Sequence, residues 1–104
     1  MNWMAVQDEI NQYLNARLDR LLQEAEQHRD AGNSPRALGI GEPHLVPFVA
    51  GIIYTQVQSA FDDFWKQRNN GQTPNNEVMN EHFVPFWRTH HPQVEQKLAE
   101  IYGL

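Results

Sequence analysis

Four histidines, His44, His82, His90 and His91, have the widest chemical reach of any side chains in this sequence. Neutral imidazole ligates zinc, nickel or copper through a ring nitrogen, and Glu42 or Glu81 could add a carboxylate. Two of the histidines open near-identical pentapeptides, HLVPF at 44–48 and HFVPF at 82–86, and the second runs on into WRTHHPQV. The spacing speaks against a preformed metal site. A strong local pattern puts two ligands three or four apart on one helix face, as in H-E-x-x-H, and no pair of these histidines has it. His90 and His91 are adjacent, so on a helix they diverge by about 100°. Only tertiary packing could unite His44, His82 and His90, the three candidate ligands.

The plainer reading of the pentapeptides is helix punctuation. Proline lacks a backbone donor and disfavours helical geometry in the residue before it. Those residues are Val46 and Val84, both β-branched and suited to an extended link. Each pentapeptide then reads as a helix boundary followed by a phenylalanine for the core. His44 precedes a helix start, and His82 lies near the end of a helix, where positive charge is mildly favoured. No cofactor is expected.

Catalysis would need a nucleophile with a base, or two matched carboxylates. The serines are Ser34, in a capping position beside a proline, and Ser59, in mid-helix. Thr89 adjoins His90 and His91, but sequence neighbours on a helix seldom face each other. Asp62–Asp63 and Glu77/Glu81 read as solvated helix faces. No P-loop, G-x-G-x-x-G or G-x-S-x-G is present, so the chain reads as a non-enzyme. Its remaining chemistry is aromatic. Tryptophan and arginine concentrate binding energy at interfaces, and Trp87, Arg88, His90 and His91 stand together beside a predicted helix break. These four, with Trp3, are the candidate partner-binding residues. If the segment is helical, Phe86 and Trp87 cannot both enter one core.

The elements that must position these residues are helices. Trp3, Val6, Ile10, Leu14, Leu18, Leu21 and Ala25 follow steps of three and four, which predicts an amphipathic helix from Trp3 to about Arg29. Gly32 and Asn33 end it, and Ser34–Pro35 suits one short turn. A second helix is predicted from about Pro47 to Arg68, apolar nearly all round in its early part and so central and buried. Asp62 and Lys66 suit an i,i+4 pair there. After NNGQTP, Thr73 and Pro74 fit the cap and first residue of a third helix, with Val78, Met79, His82 and Phe83 on one face. HHP then interrupts, and Pro92 opens a last helix to Tyr102 with Val94, Leu98, Ile101 and Tyr102 as its core set. No period-two alternation marks a strand.

The expected fold is therefore all-α: one domain over residues 1–104, a small bundle of two longer and two shorter helices. The short elements would leave part of the first helix's stripe uncovered. That predicts a homodimer, formed by pairing through the long first helix.

Composition narrows the function. The chain has 104 residues, 40% hydrophobic and 20% charged, which suits a folded domain and not a disordered one. It has no cysteine, so disulfides, thiolate chemistry and cysteine zinc sites are excluded. Thirteen acids against eight bases give a net charge of −5, and no Lys/Arg-rich stretch supports nucleic-acid binding. Arg17, Arg20, Arg29 and Arg36 are the candidates for a basic face, and acids interleave with them. The N-terminus has no signal-peptide pattern, and no run reaches the ~20 apolar residues of a membrane span.

The function expected is a non-enzymatic protein-binding module of the cytoplasm, an adaptor, regulator or inhibitor that occupies a partner protein's surface. The alternatives are a histidine-based metal-binding regulator and a small-ligand module with a cavity lined by Phe48, Tyr54, Phe61, Phe83 and Trp87. Exposed histidines that charge near pH 5–6 would bring the net charge towards zero, so solubility is expected to fall between pH 7 and pH 5. Constant solubility over that range would show that the histidines are not freely exposed.

Overall fold

The periodic stripe of the first helix packs as its spacing requires. The computed structural model describes residues 3–104, with side chains described from residue 6 onward. Helix α1 is Trp3–Gln27. Ile10, Leu14, Leu18 and Leu21 are buried along its inner face, with Val6, Leu22 and Ala25 partly buried against the same core. The turn after α1 is capped as expected: Ser34 Oγ accepts from the Ala37 N–H, and Ile40 N–H donates to the Pro35 carbonyl.

Helix α2 is Glu42–Arg68, five residues longer at its start than the sequence suggests. Pro43 falls in its first turn, where a missing donor costs nothing. Pro47 lies only one turn further in, so the boundary expected at HLVPF falls before it. The helix ends at Asn69–Gly71, as expected, with Asn70 and Gly71 at positive φ and the Gly71 N–H on the Lys66 carbonyl. Asp62 and Lys66 form no ion pair. Instead Arg68 Nη2 reaches Glu9 of α1 at 3.0 Å, with its guanidinium 4.1 Å from the Phe64 ring centre.

The third and fourth expected elements are one continuous rod. Helix α3 (Asn76–Val78) passes into a π-helical turn (Met79–Phe83) and then into α4 (Val84–Tyr102). The cap is Asn75, not Thr73: its side chain accepts from the Val78 N–H at 2.9 Å. Neither Pro85 nor Pro92 breaks the rod. A proline ring presses on the carbonyl four residues back, and the widened turn before Pro85, with Val84 N–H on the Met79 carbonyl, makes room for it. Pro92 sits on the exposed side of α4. Gly103, at φ 71°, ends the helix with its N–H on the Ala99 and Glu100 carbonyls.

The fold is thus all-helical with three rods, in place of two long and two short helices. All three pack pairwise, in an elongated body of 47 × 23 × 22 Å. Phe61 of α2 and Phe83 of the π turn meet at the centre, ring centres 5.7 Å apart and both fully buried. The 28–41 segment straps the far end of α4: Arg29 Nη1 donates to the Ile101 carbonyl at 3.3 Å and Arg36 Nη2 to that of Tyr102 at 2.9 Å. Cations are favoured at a helix C-terminus. Because the third rod is as long as α2, Ile10, Leu14, Leu18 and Leu21 of the α1 stripe are buried within one chain. The premise of short neighbouring helices, on which the expectation of pairing through α1 rests, does not hold.

Proline in a helix interior removes a backbone hydrogen bond and typically costs ~3 kcal/mol relative to alanine, less where the helix bends or widens to accept it. Pro92→Ala is expected to stabilise the protein by about 1–2 kcal/mol, after allowing for the more flexible unfolded chain. Denaturant midpoints would show this, and an unchanged or lower midpoint would show that α4 accommodates Pro92 without penalty.

Candidate functional site

The continuous rod determines where the candidate residues point. On α4, Phe86 takes the core, and His90 one turn on stacks against it with ring centres 4.1 Å apart. His90 Nδ1 lies 2.8 Å from the Phe86 carbonyl and donates to it. Trp87 and His91 form the next row. The Trp87 ring lies 5.5 Å from that of His91 and 5.1 Å from that of Tyr54 on α2. His91 Nε2 is 2.9 Å from Glu95 Oε1. The expected partner patch is therefore divided: Trp87 and His91 face α2, His90 faces α1, and Arg88 is exposed to solvent. The side chain of Trp3, the fifth candidate, lies outside the described residues.

The metal candidates are not brought together. His44 is exposed in the first turn of α2, His82 is buried at the junction of the three rods, and His90 lies on the α1 side of α4. Among the described residues no three His, Cys, Asp or Glu side chains are grouped to hold one metal ion. Nor does a nucleophile meet a base. Ser34 caps its turn, and Thr89 and His90 border the same open hollow with no hydrogen bond between them.

His82 differs most from expectation, since it stands mid-rod and not near a helix end. It is 2% exposed, and the Trp65 ring of α2 lies 5.4 Å away. His82 Nδ1 is 2.7 Å from Gln7 Oε1, while Gln7 Nε2 donates to the Asn11 side chain and to the His82 carbonyl. Gln7 thus ties α1 to the π turn. Its oxygen can only accept, so the neutral His82 ring carries its hydrogen on Nδ1. Burial pushes the His82 pKa below its ordinary value, and the Glu81 carboxylate, 4.0 Å from Nε2, opposes this more weakly. His82 therefore drops out of the histidines that could gain charge freely.

The five residues named for a small-ligand cavity do not line one space, since Tyr54 and Trp87 border an open groove between α2 and α4. Phe61 and Phe83 fill the core, while Phe48 points outward. Three of the four arginines considered for a basic face are otherwise engaged: Arg20 pairs with Glu24, and Arg29 and Arg36 hold the end of α4, while Arg17 is exposed beside Tyr13 and Asp63. No helix among the described residues is long and apolar enough to cross a membrane.

The sequence did not single out the surface of α2. Phe48 is 44%, Ile52 43% and Tyr54 36% exposed in the helix expected to be central and most buried. Beside them, Pro47, Gly51, Tyr54, Trp87, His91 and Glu95 line an open groove of about 250 Å³ between α2 and α4. The signal was the spacing 47, 51, 54 on one helix and 87, 91, 95 on the other. Pro92, which reads as the start of a separate helix, stands between Trp87 and Glu95 and hides it. Comparison with protein-family models, curated proteins and solved structures gives no match. The described residues define a small three-rod helical protein in which α2 exposes Phe48 and Ile52 side by side.

The unfolded histidine titrates near 6.5, and the folded one lower. His82 therefore favours folding fully above about pH 6.5 and progressively less as pH falls through its folded value. Urea midpoints are expected to drop between pH 7.5 and pH 5, and His82→Gln should flatten that dependence. An equal slope in the variant would assign the pH effect to other groups.

Proposed function

We propose that this is a non-enzymatic protein-binding module, an intracellular adaptor or regulator that engages a partner protein through the outer face of α2. One observation carries the reading: among the described residues Phe48 and Ile52 are two large apolar side chains exposed one helical turn apart, whereas the exposed Tyr13, Leu38 and Leu104 stand singly. The outer positions of α1 are mainly polar, Asp8, Glu9, Gln12, Asp19, Gln23 and Glu26, with Tyr13 its one large exposed apolar side chain among the described residues. Those of α4 include Arg88, Gln93, Gln96 and Lys97. Only α2 presents Phe48 and Ile52 one turn apart to solvent. Burying such a side chain is worth about 1.5–3 kcal/mol, so leaving both exposed is explained by a surface that covers them.

The patch is small for self-association. Phe48 and Ile52 offer on the order of 200 Å², against the ~800 Å² per partner of a standard interface. A larger, differently shaped partner that also touches the neighbouring grooves supports the reading better than a two-fold copy.

Full-length tagged protein should be used to capture partners from the cells that naturally make it, beside three variants. Phe48→Asp with Ile52→Asp is expected to abolish capture of a specific partner, and Trp87→Ala to weaken it, while Arg88→Ala retains it. Retention by the double variant would overturn the assignment to α2. Recovery of only the protein's own chain would replace the partner with a homodimer.

A further inference from the structure

The groove beside the open face has its own chemical character. Two of its walls are aromatic: the Tyr54 and Trp87 rings meet at 71° and form a corner. At its end stands Glu95, whose side chain is about half exposed. Glu95 Oε1 takes the His91 Nε2 contact, and a carboxylate has further lone pairs to offer. Its volume of about 250 Å³ lies below the ~300–1,000 Å³ typical of small-molecule sites and suits a single inserted side chain.

The floor supplies a second, independent observation. Gly51 lies in the interior of α2, where glycine is the worst helix residue after proline. No close packing explains it: a Cβ placed there would have no atom within 4 Å. Its φ is not positive, so no backbone strain requires glycine either. The missing side chain does keep the groove open between Pro47 and Tyr54. The fold gains nothing visible from Gly51, whereas a ligand in the groove would.

We propose that this groove is a docking slot for an arginine side chain on the partner protein. This rests on the protein-binding reading above and names the chemistry of the partner. Guanidinium is planar and weakly hydrated and stacks on aromatic faces, tryptophan best. It also forms forked hydrogen bonds with a carboxylate, which Glu95 provides. The protein's net charge of −5 favours approach of a basic segment. Phe48 and Ile52 then cover apolar residues flanking the arginine.

The test is a titration of the isotope-labelled full-length protein with N-acetyl-arginine amide, followed by the backbone shift of Gly51 and the Trp87 indole N–H. Saturable movement in the low-millimolar range is expected. Glu95→Gln should weaken it about tenfold. Gly51→Leu should abolish it while raising the thermal midpoint by about 4 °C or more, which separates a filled slot from a damaged fold. N-acetyl-lysine amide and N-acetyl-leucine amide serve as comparisons. Equal response to lysine would overturn the choice of guanidinium, and equal response to leucine would make the slot merely apolar. Shifts spread over the acidic surface and unchanged by Gly51→Leu would overturn the slot altogether. Partner capture that depends on Phe48 and Ile52, with no arginine response, would remove the slot and keep the docking face. An arginine response with no captured partner would do the reverse.

Discussion

A helix in a three-rod bundle has two neighbours and one open side, and the first half of α2 is apolar on all of them. Leu45, Val49, Ala50 and Ile53 satisfy the two neighbours. Phe48 and Ile52 are left over, since no fourth rod exists to cover them. Much else follows from this arrangement. α1 and α4 each need one apolar stripe and keep mostly polar outer faces, so among the described helices the paired exposure of Phe48 and Ile52 is particular to α2. The grooves that flank α2 are consequently bordered by exposed apolar residues.

The third rod depends on how its prolines are accommodated. A strict α-helix through Pro85 would press its ring on a carbonyl, and the π turn at Met79–Phe83 relieves this. The extra residue rotates everything after it by about 100°. It sets the phase in which Phe83 and Phe86 enter the core while Trp87, His91 and Glu95 form a row against α2. The same turn buries His82, where Gln7 and Trp65 reach it from the other two rods. One local irregularity thus joins the core to the surface groove. π turns are often found at functional sites, and here the link is geometric.

Stability and recognition occupy different parts of the molecule. The core is continuous from Ile10 to Tyr102 and is closed at one end by Arg29 and Arg36 on the last carbonyls of α4. At the other end Arg68 clamps α2 to Glu9. Phe48, Gly51, Ile52 and Glu95 hold none of these contacts together. A surface free of structural duties can be altered without unfolding the protein, which makes it separable from the fold by substitution.

The sequence alone was sufficient for what depends on local periodicity. The all-α class, the α1 stripe, the turn at Ser34, the end of α2 at Asn69–Gly71 and the core set Val94, Leu98, Ile101 and Tyr102 all follow from spacing and capping. Even the division of labour between Phe86 and Trp87 followed from adjacent helix positions. Whether a proline ends a helix, however, depends on whether neighbouring packing compensates for the lost hydrogen bond, and that is not written locally. Only the tertiary structure joined HFVPF, WRTHH and the last helix into one rod, and only then did Trp87 and Glu95 share a face. It likewise decided that α2, apolar nearly all round, is central yet not enclosed. The physical reason is the number of rods: periodicity shows how much of a helix is apolar, but not how many neighbours there will be to cover it.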